Sequence, residues 1–257
     1  MANNKQEASK AGEPREWFGE WFDSPYYHIL YQHRDHEEAE AFIDHLYDYF
    51  GFTAQDEVMD LACGKGRHSI YLNKKGLKVT GVDLSPQNIE AANKQANERL
   101  HFHVHDMRQV FRQEAFDYVL NLFTSFGYFQ TEKENQQAID AATAALRPGG
   151  RLLIDFLNPY VVVHNLKPED VKVLNGIEFH ITKQLDEENY IVKDIRFEDG
   201  GTTYHFQERV KAIRRMEFLE YFKHAGLLLE DCFGDYDLNH YEARESDRMI
   251  FVCRKPE

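Results

Sequence analysis

The sequence predicts an α/β fold: a doubly wound, mostly parallel seven-stranded sheet, with an N-terminal helical flap and a small antiparallel β insertion. Three observations lead there. Between residues 57 and 157, short apolar runs of strand length alternate with helical stretches, the order that builds a parallel sheet covered on both faces. After Pro159 the texture changes to alternating stretches separated by turn clusters, as in an antiparallel meander. The chain then returns to one helix and a final pair of strands.

Taken in order, residues 1–15 read as a polar tail. Trp17, Phe18, Trp21 and Phe22 recur at i, i+4, which stacks four aromatic rings on one side of a short helix. Ser24-Pro25 has the form of a helix cap followed by a first-turn proline. From Glu37 to Phe50, the residues Ala39, Phe42, Ile43, Leu46 and Phe50 form one stripe, and Gly51 suits the helix end. Strands are predicted at 58–62, 78–83, 100–105, 116–122 and 151–157. The intervening helices run from His68 to Lys75, from Ser85-Pro86 to about Arg99, and from Gln136 to Leu146, with a turn at Arg147-Pro148-Gly149-Gly150. Gly176 to Gln184, Tyr190 to Phe197 and Thr202 to Val210 form the meander. Arg214 to Ala225 is helical, and strands at 227–233 and 249–254 close the chain. Four segments follow: tail and flap (1–50), α/β core (51–160), insertion acting as a substrate lid (161–212), and the C-terminal helix with the last strand pair (213–257).

The 257 residues are 42% apolar and 14% aromatic, enough to bury a core. A formal charge of −14 repels nucleic acid on average, so a small-molecule partner is expected. No run reaches the roughly 18 apolar residues a membrane span needs. Cys63, Cys232 and Cys253 have no paired spacing, which fits free thiols and a cytoplasmic location. Oligomeric state leaves no mark in the sequence.

In an open parallel sheet, ligands bind beyond the carboxyl ends of the strands. The first strand is followed by Ala62-Cys63-Gly64-Lys65-Gly66-Arg67-His68, where Gly64 and Gly66 let the backbone turn sharply and approach a ligand. The second strand ends in Asp83-Leu84-Ser85, and an Asp83 carboxylate there can accept from both hydroxyls of a ribose. The third ends at His105-Asp106-Met107, where a carboxylate can accept from an exocyclic amino group. Three strand ends thus match the parts of an adenosine-bearing cofactor. A dinucleotide site wants a small residue three past the second glycine, with no bulk before it. Here Arg67 and His68 precede Ser69. Asp60 adds negative charge unsuited to a pyrophosphate but suited to a ligand carrying an ammonium and a sulfonium. S-adenosylmethionine is therefore favoured over NAD.

The stretch DLACGKGRHSIYLNKKGLKVTGVDLSPQNI, with FDYVLNLFTSFGYF and LRPGGRLLIDF, resembles the class I S-adenosylmethionine-dependent methyltransferases, and bacterial small-molecule methyltransferases in particular. The resemblance covers residues 55–158 well. It implies a Rossmann-like core, Asp60, Gly64 and Gly66 around the methionine moiety, Asp83 at the ribose, Asp106 and Met107 at the adenine, and Asn121 near the sulfonium. Ala62, Cys63, His68, Leu84 and Ser85 flank these positions. Tyr31, in the aromatic run Tyr26, Tyr27, His28, Tyr31 and His33, is expected over the cofactor. Ser125 and Tyr128, after the fourth strand, are candidates for orienting the acceptor, with Tyr26, Asn158 and Tyr160 as weaker candidates. His101, His103 and His105 alternate along one strand and are read as a polar edge, so no metal is expected. In-line methyl transfer asks chiefly for alignment, and no catalytic residue is assigned. Two rivals remain: an NAD-dependent oxidoreductase, and a non-catalytic protein that binds S-adenosylmethionine.

Overall fold

The computed structural model describes residues 21–31 and 36–257. Trp17, Phe18 and His33 lie outside the described residues. Among the described residues, two short-to-medium helices come first, α1 (Pro25–Leu30) and α2 (His36–Phe50). The α/β core follows as β1 (Glu57–Leu61), α3 (Arg67–Lys74), β2 (Lys78–Asp83), α4 (Pro86–Asn93), β3 (Leu100–Val104), β4 (Phe116–Asn121), α5 (Glu132–Ala145), β5 (Leu146–Leu157) and α6 (Pro159–His164). Then come β6 (Glu169–Leu174), β7 (Ile177–Leu185), β8 (Tyr190–Asp199), β9 (Thr202–Lys211), α7 (Arg215–His224), β10 (Leu228–Phe233) and β11 (Arg248–Arg254).

The main sheet has the order β10-β11-β5-β4-β1-β2-β3, parallel from β5 to β3, with β11 antiparallel to both of its neighbours. The order reverses between β1 and β4, so a crevice opens beyond the carboxyl ends of these strands. Alternation along each strand divides the core into two layers. Met59, Val119, Leu152, Ile154 and Phe251 pack under α5 and α7, while Val58, Tyr118, Leu120, Leu153 and Val252 pack under α2, α3 and α4. On α2 most of the predicted stripe is buried: Ala39, Phe42, Ile43 and Leu46 are at most 3% exposed, and Phe50 is partly buried.

Several boundaries differ from the sequence reading. The second core helix stops at Asn93 rather than near Arg99, because Asn97 and Leu100 close a tight turn with paired backbone bonds. Arg147–Gly150 lies within β5 rather than in a turn. Gly149 is left-handed, yet its amide and the Gly150 carbonyl stay paired with Lys255. The insertion sheet has four strands, β6-β7-β8-β9, all antiparallel. The extra one is the edge strand β6, whose Val171 and Val173 are exposed.

The inner face of that sheet (Ile177, Phe179, Ile181, Ile195, Phe197) packs against Trp21 and Leu30 of the N-terminal segment. The flap is therefore fastened to the insertion. Side-chain bonds reinforce the contact. Trp21 Nε1 donates to Glu208 at 2.6 Å, Tyr31 Oη donates to both Glu208 oxygens at 2.6 and 2.8 Å, and Tyr26 Oη donates to Asp199 at 2.8 Å. Lys193 lies 3.6 Å from Glu208, hydrogen-bonds Tyr31, and sits 4.5 Å over the Tyr31 ring.

Candidate functional site

A cavity of about 370 Å³ opens at the β1/β4 reversal, within the size range of small-molecule sites. Its floor is built by strand ends. Past β1 the chain must leave the sheet and start α3 within a few residues. It does so through left-handed Ala62, Gly64 and Gly66, with φ of 66°, 56° and 81°. The two glycines differ in what surrounds them. A Cβ on Gly66 would strike the Phe102 ring at 2.6 Å, whereas one on Gly64 would meet nothing within 4 Å. Gly66 is thus required by packing, and Gly64 leaves open space in the cavity wall, the kind of cradle a ligand's chain can fill.

Asp83 ends β2 on the same floor. Its Oδ2 accepts from the Gly64 amide and its Oδ1 from the Ser85 amide, both at 2.9 Å. This fixes the carboxylate and leaves further lone pairs on each oxygen. Burial raises its pKa, only partly offset by these two amides. Asp60 lies deeper, 1% exposed, and accepts from the Ser69 hydroxyl at 2.5 Å. Burial pushes it up to about 6, against the Ser69 bond and with help from Asp83. Asp106 is held differently. Burial raises its pKa, but the Arg108 guanidinium on both oxygens (2.7–3.1 Å) and the Arg108 amide outweigh that and hold it below the usual range. Arg108 also reaches Glu134 at 2.8 Å.

The side wall beyond β4 carries two more left-handed non-glycine residues, Phe123 (φ 56°) and Thr124 (φ 59°). Such strain persists only where surroundings over-determine it. Here they do: fully buried Asp155 of β5 accepts from the Phe123 amide at 2.7 Å, and the Asp155 carbonyl accepts from the Thr124 amide at 3.0 Å. Arg248 of β11 pairs with Asp155 at 2.6 and 2.8 Å and donates to the Thr124 hydroxyl at 2.9 Å. The Phe123 ring is stacked between His68 and Tyr236, at 4.9 Å each, with Arg67 4.3 Å from its centre.

The roof comes from the N-terminal segment: Phe22, Tyr27, His28 and Tyr31. Burial, then the nearby Lys65 charge, hold the His28 pKa below its ordinary value. No residue of the insertion lines this cavity. The four-stranded sheet supports the roof of this cavity, and its β7–β8 turn lines a second cavity at the carboxyl end of β5.

Of the predicted cofactor residues, Ala62, Cys63, Gly64, His68, Asp83, Leu84, Asp106, Met107 and Tyr31 line the cavity. Asp60, Gly66, Ser85 and Asn121 do not. Asp60 and Gly66 are turned into the packing just described. Ser85 caps α4 through the Asn88 amide and hydrogen-bonds Asp23. Asn121 ties the ends of β1 and β4 together by donating to the Leu61 and Ser125 carbonyls at 2.9 and 3.2 Å. Among the acceptor candidates, Ser125 and Tyr128 line the cavity. Tyr26 is packed on Phe197 and Tyr204 of the insertion, and Asn158 and Tyr160 belong to a second cavity. The sequence reading did not single out Lys65, Phe123, Phe129 or the Asp155–Arg248 pair. The one signal for the last was an aspartate inside the apolar run Leu152-Leu153-Ile154-Asp155-Phe156.

Comparison with known proteins agrees with this geometry. Residues 58–150 match the profile of a family described as "Methyltransferase domain". The chain is 34% identical over 207 residues to "Putative methyltransferase YqeM" of Bacillus subtilis (strain 168), covering 77% of this chain and 83% of that protein. It is 25% identical over 202 residues to the dTDP-3-amino-3,4,6-trideoxy-alpha-D-glucopyranose N,N-dimethyltransferase of Streptomyces venezuelae, covering 76% and 81% of the two chains. In fold it is similar to the crystal structure of an S-adenosylmethionine-dependent methyltransferase from Clostridium acetobutylicum ATCC 824. The TM-score is 0.76 at 18% identity, over 90% of this chain and 96% of that one. Glycine cradle, strand-end carboxylates, sheet order and relatives converge, and the chain belongs to the S-adenosylmethionine-dependent methyltransferases.

Proposed function

We propose that this enzyme methylates a small molecule in the cavity at the β1/β4 reversal, with Asp83 as the residue that fixes the cofactor's ribose. The observation that carries the reading is the Asp83 carboxylate. It is oriented by two backbone amides on the floor of a cavity whose adjoining wall, at Gly64, has room for a ligand. When bound, S-adenosylmethionine supplies a methyl group on a positively charged sulfur. Around it, Ala62, Cys63 and Gly64 flank the methionine portion, Asp106 and Met107 the adenine, and Leu84 the ribose edge. Asp60 acts from behind the wall: unionised it is neutral, and ionised it adds negative charge beneath a cationic ligand.

The acceptor is assigned to the side of Ser125 and Tyr128, under the aromatic roof. Both hydroxyls already donate within the loop, Ser125 to the Leu122 carbonyl at 2.8 Å and Tyr128 to the Thr124 carbonyl. They therefore meet an acceptor as hydrogen-bond acceptors. His28 is uncharged at neutral pH, and as a half-buried imidazole on the cavity wall it is the group proposed to take a proton from the acceptor. The relation to a sugar N,N-dimethyltransferase supports a polar, small acceptor.

Calorimetric titration with S-adenosylmethionine, S-adenosylhomocysteine and NAD tests the site. The first two should bind, NAD should not, and Asp83→Ala should weaken the binding about a hundredfold. Unchanged affinity in that variant places the cofactor elsewhere. For the acceptor side, His28→Gln should lower turnover on an acceptor panel while leaving S-adenosylhomocysteine affinity in place.

A further inference from the structure

A second cavity, about 700 Å³, lies at the carboxyl end of β5 and shares no lining residue with the first. Its walls are Asn158 and Tyr160, the β7–β8 turn, the start of α7, and the 241–244 loop. Arg214, Arg215, Arg244 and His164 line it, and among the described residues no carboxylate does. In a chain of net charge −14 a concave site lined by three arginines runs against the overall balance. The acidic side chains of the adjoining loop, Glu242, Glu245 and Asp247, and Glu217 of α7, are not part of the lining. Among the described residues neither Arg214 nor Arg244 enters an ion pair. Arg215 lies beside the Cys232 thiol, and its Nε is buried with no hydrogen-bond partner.

The floor is fixed. Asn158, 1% exposed, donates to the Ala243 and Ser246 carbonyls at 3.0 and 2.7 Å, which holds the Arg244 loop against the β5 end. One backbone strap separates this cavity from the acceptor side of the first. Lys211 donates to the Gly127 carbonyl, between Ser125 and Tyr128, and Ala212 donates to the Asn189 carbonyl on the far side, both at 2.8 Å.

We infer that this cavity is a binding site for a phosphoryl group. Planar guanidinium forks match tetrahedral oxyanions bidentately, which makes arginine the side chain suited to phosphate. Three arginines on one cavity, none of them in an ion pair among the described residues, leave positive charge that an oxyanion neutralises. The phosphoryl group is carried either by a small organic molecule or by a free anion, and the two sources are separable by experiment.

The test is calorimetric titration of the full chain with inorganic pyrophosphate and, separately, with UDP-glucose, at one fixed ionic strength. The comparison is an Arg214→Gln/Arg244→Gln double variant. Both positions are exposed, so the fold is retained, checked by an unchanged melting temperature. Pyrophosphate should bind the wild type and bind the double variant at least about tenfold more weakly, since two charge-assisted contacts are lost. S-adenosylhomocysteine affinity should be equal in both. Tighter binding of UDP-glucose than of pyrophosphate identifies an organic carrier; the reverse identifies a free anion. Equal pyrophosphate affinity in wild type and variant, or no binding to the wild type at millimolar concentration, overturns the inference. Because this readout needs no methyl transfer, it fails or holds independently of the cofactor reading.

Discussion

The floor and the roof of the main cavity are built on different principles. The floor is made of strand ends and backbone: Asp83 is held by two amides only 19 and 2 residues away in sequence, and the Ala62–Gly66 turn is dictated by the join of β1 to α3. The roof is made of aromatic side chains on a short segment, and its bonds run to partners 162 to 187 residues distant. A floor of this kind is assembled wherever the sheet forms. A roof of this kind depends on a second sheet being complete and docked. The floor should therefore govern whether cofactor binds, and the roof how fast it leaves.

The largest expected effect tests what holds the side wall. Arg248→Ala removes the charged partner of fully buried Asp155, the residue that anchors the strained Phe123-Thr124 turn. Breaking a buried pair from one side costs about 3–5 kcal/mol. Denaturant unfolding of the variant should show a loss in that range. A loss under roughly 1 kcal/mol, the scale of a surface pair, means that the turn is held by its packing alone. On the floor itself, Asp83→Ala should weaken S-adenosylhomocysteine binding by about a hundredfold, the scale of losing charged hydrogen bonds to a ligand. A similar loss from a roof variant would erase the distinction between the two regions.

How much of this was legible follows the same division. The floor could be read because each part sits directly after a strand, and strand ends are marked by local pattern: Gly64-x-Gly66, Asp83 before Ser85-Pro86, Asp106 after an alternating run. Legibility stopped at orientation. Period and spacing place Asp60 and Asn121 at strand ends, but which way a side chain turns there is decided by neighbours such as Ser69 and the Leu61 carbonyl. The roof's aromatic run was visible, yet its docking was not, because Glu208 and Lys193 are ordinary strand charges until β8 and β9 pair under Tyr31. Val171 and Val173 show the same limit at an edge. Val171-Lys172-Val173 alternates like a strand, but both valines are exposed at the sheet edge, so the pattern alone set no bounds for it.

Asp60 gives a prediction intermediate in size. Its pKa of about 6 in the folded chain lies above the ordinary 3.8, so the folded state holds the proton more tightly than the unfolded one. Stability is therefore highest below about pH 4, falls as pH rises toward 6, and is level above that. The ionised, buried carboxylate should make the wild type roughly 2–3 kcal/mol less favourable at pH 7 than at pH 4 relative to Asp60→Asn. Unfolding curves of both proteins at the two pH values check this, and parallel pH profiles would show that Asp60 does not titrate in that window. Ionisation should have the opposite effect on ligand: affinity for cationic S-adenosylmethionine should rise through pH 6 in the wild type and stay flat in the variant.

The smallest expected effect is at the roof, and it is the one that separates support from gating. Tyr31→Phe keeps the ring over the cavity and removes only the hydroxyl shared by Glu208 and Lys193. Glu208 retains Trp21 Nε1 and Lys193, so no buried charge is stranded and the change should cost only about 1 kcal/mol. If the roof controls escape, that cost appears in the dissociation rate of S-adenosylhomocysteine, about three- to tenfold faster, with association little changed. Glu208→Gln should shift the same rate further, because the Lys193–Glu208 ion pair is lost while Trp21 can still donate to the amide oxygen. Stopped-flow displacement measures both. Equal dissociation rates in wild type and the two variants would mean that the aromatic segment is scaffolding for the insertion sheet, and that the floor alone sets the residence time of the cofactor.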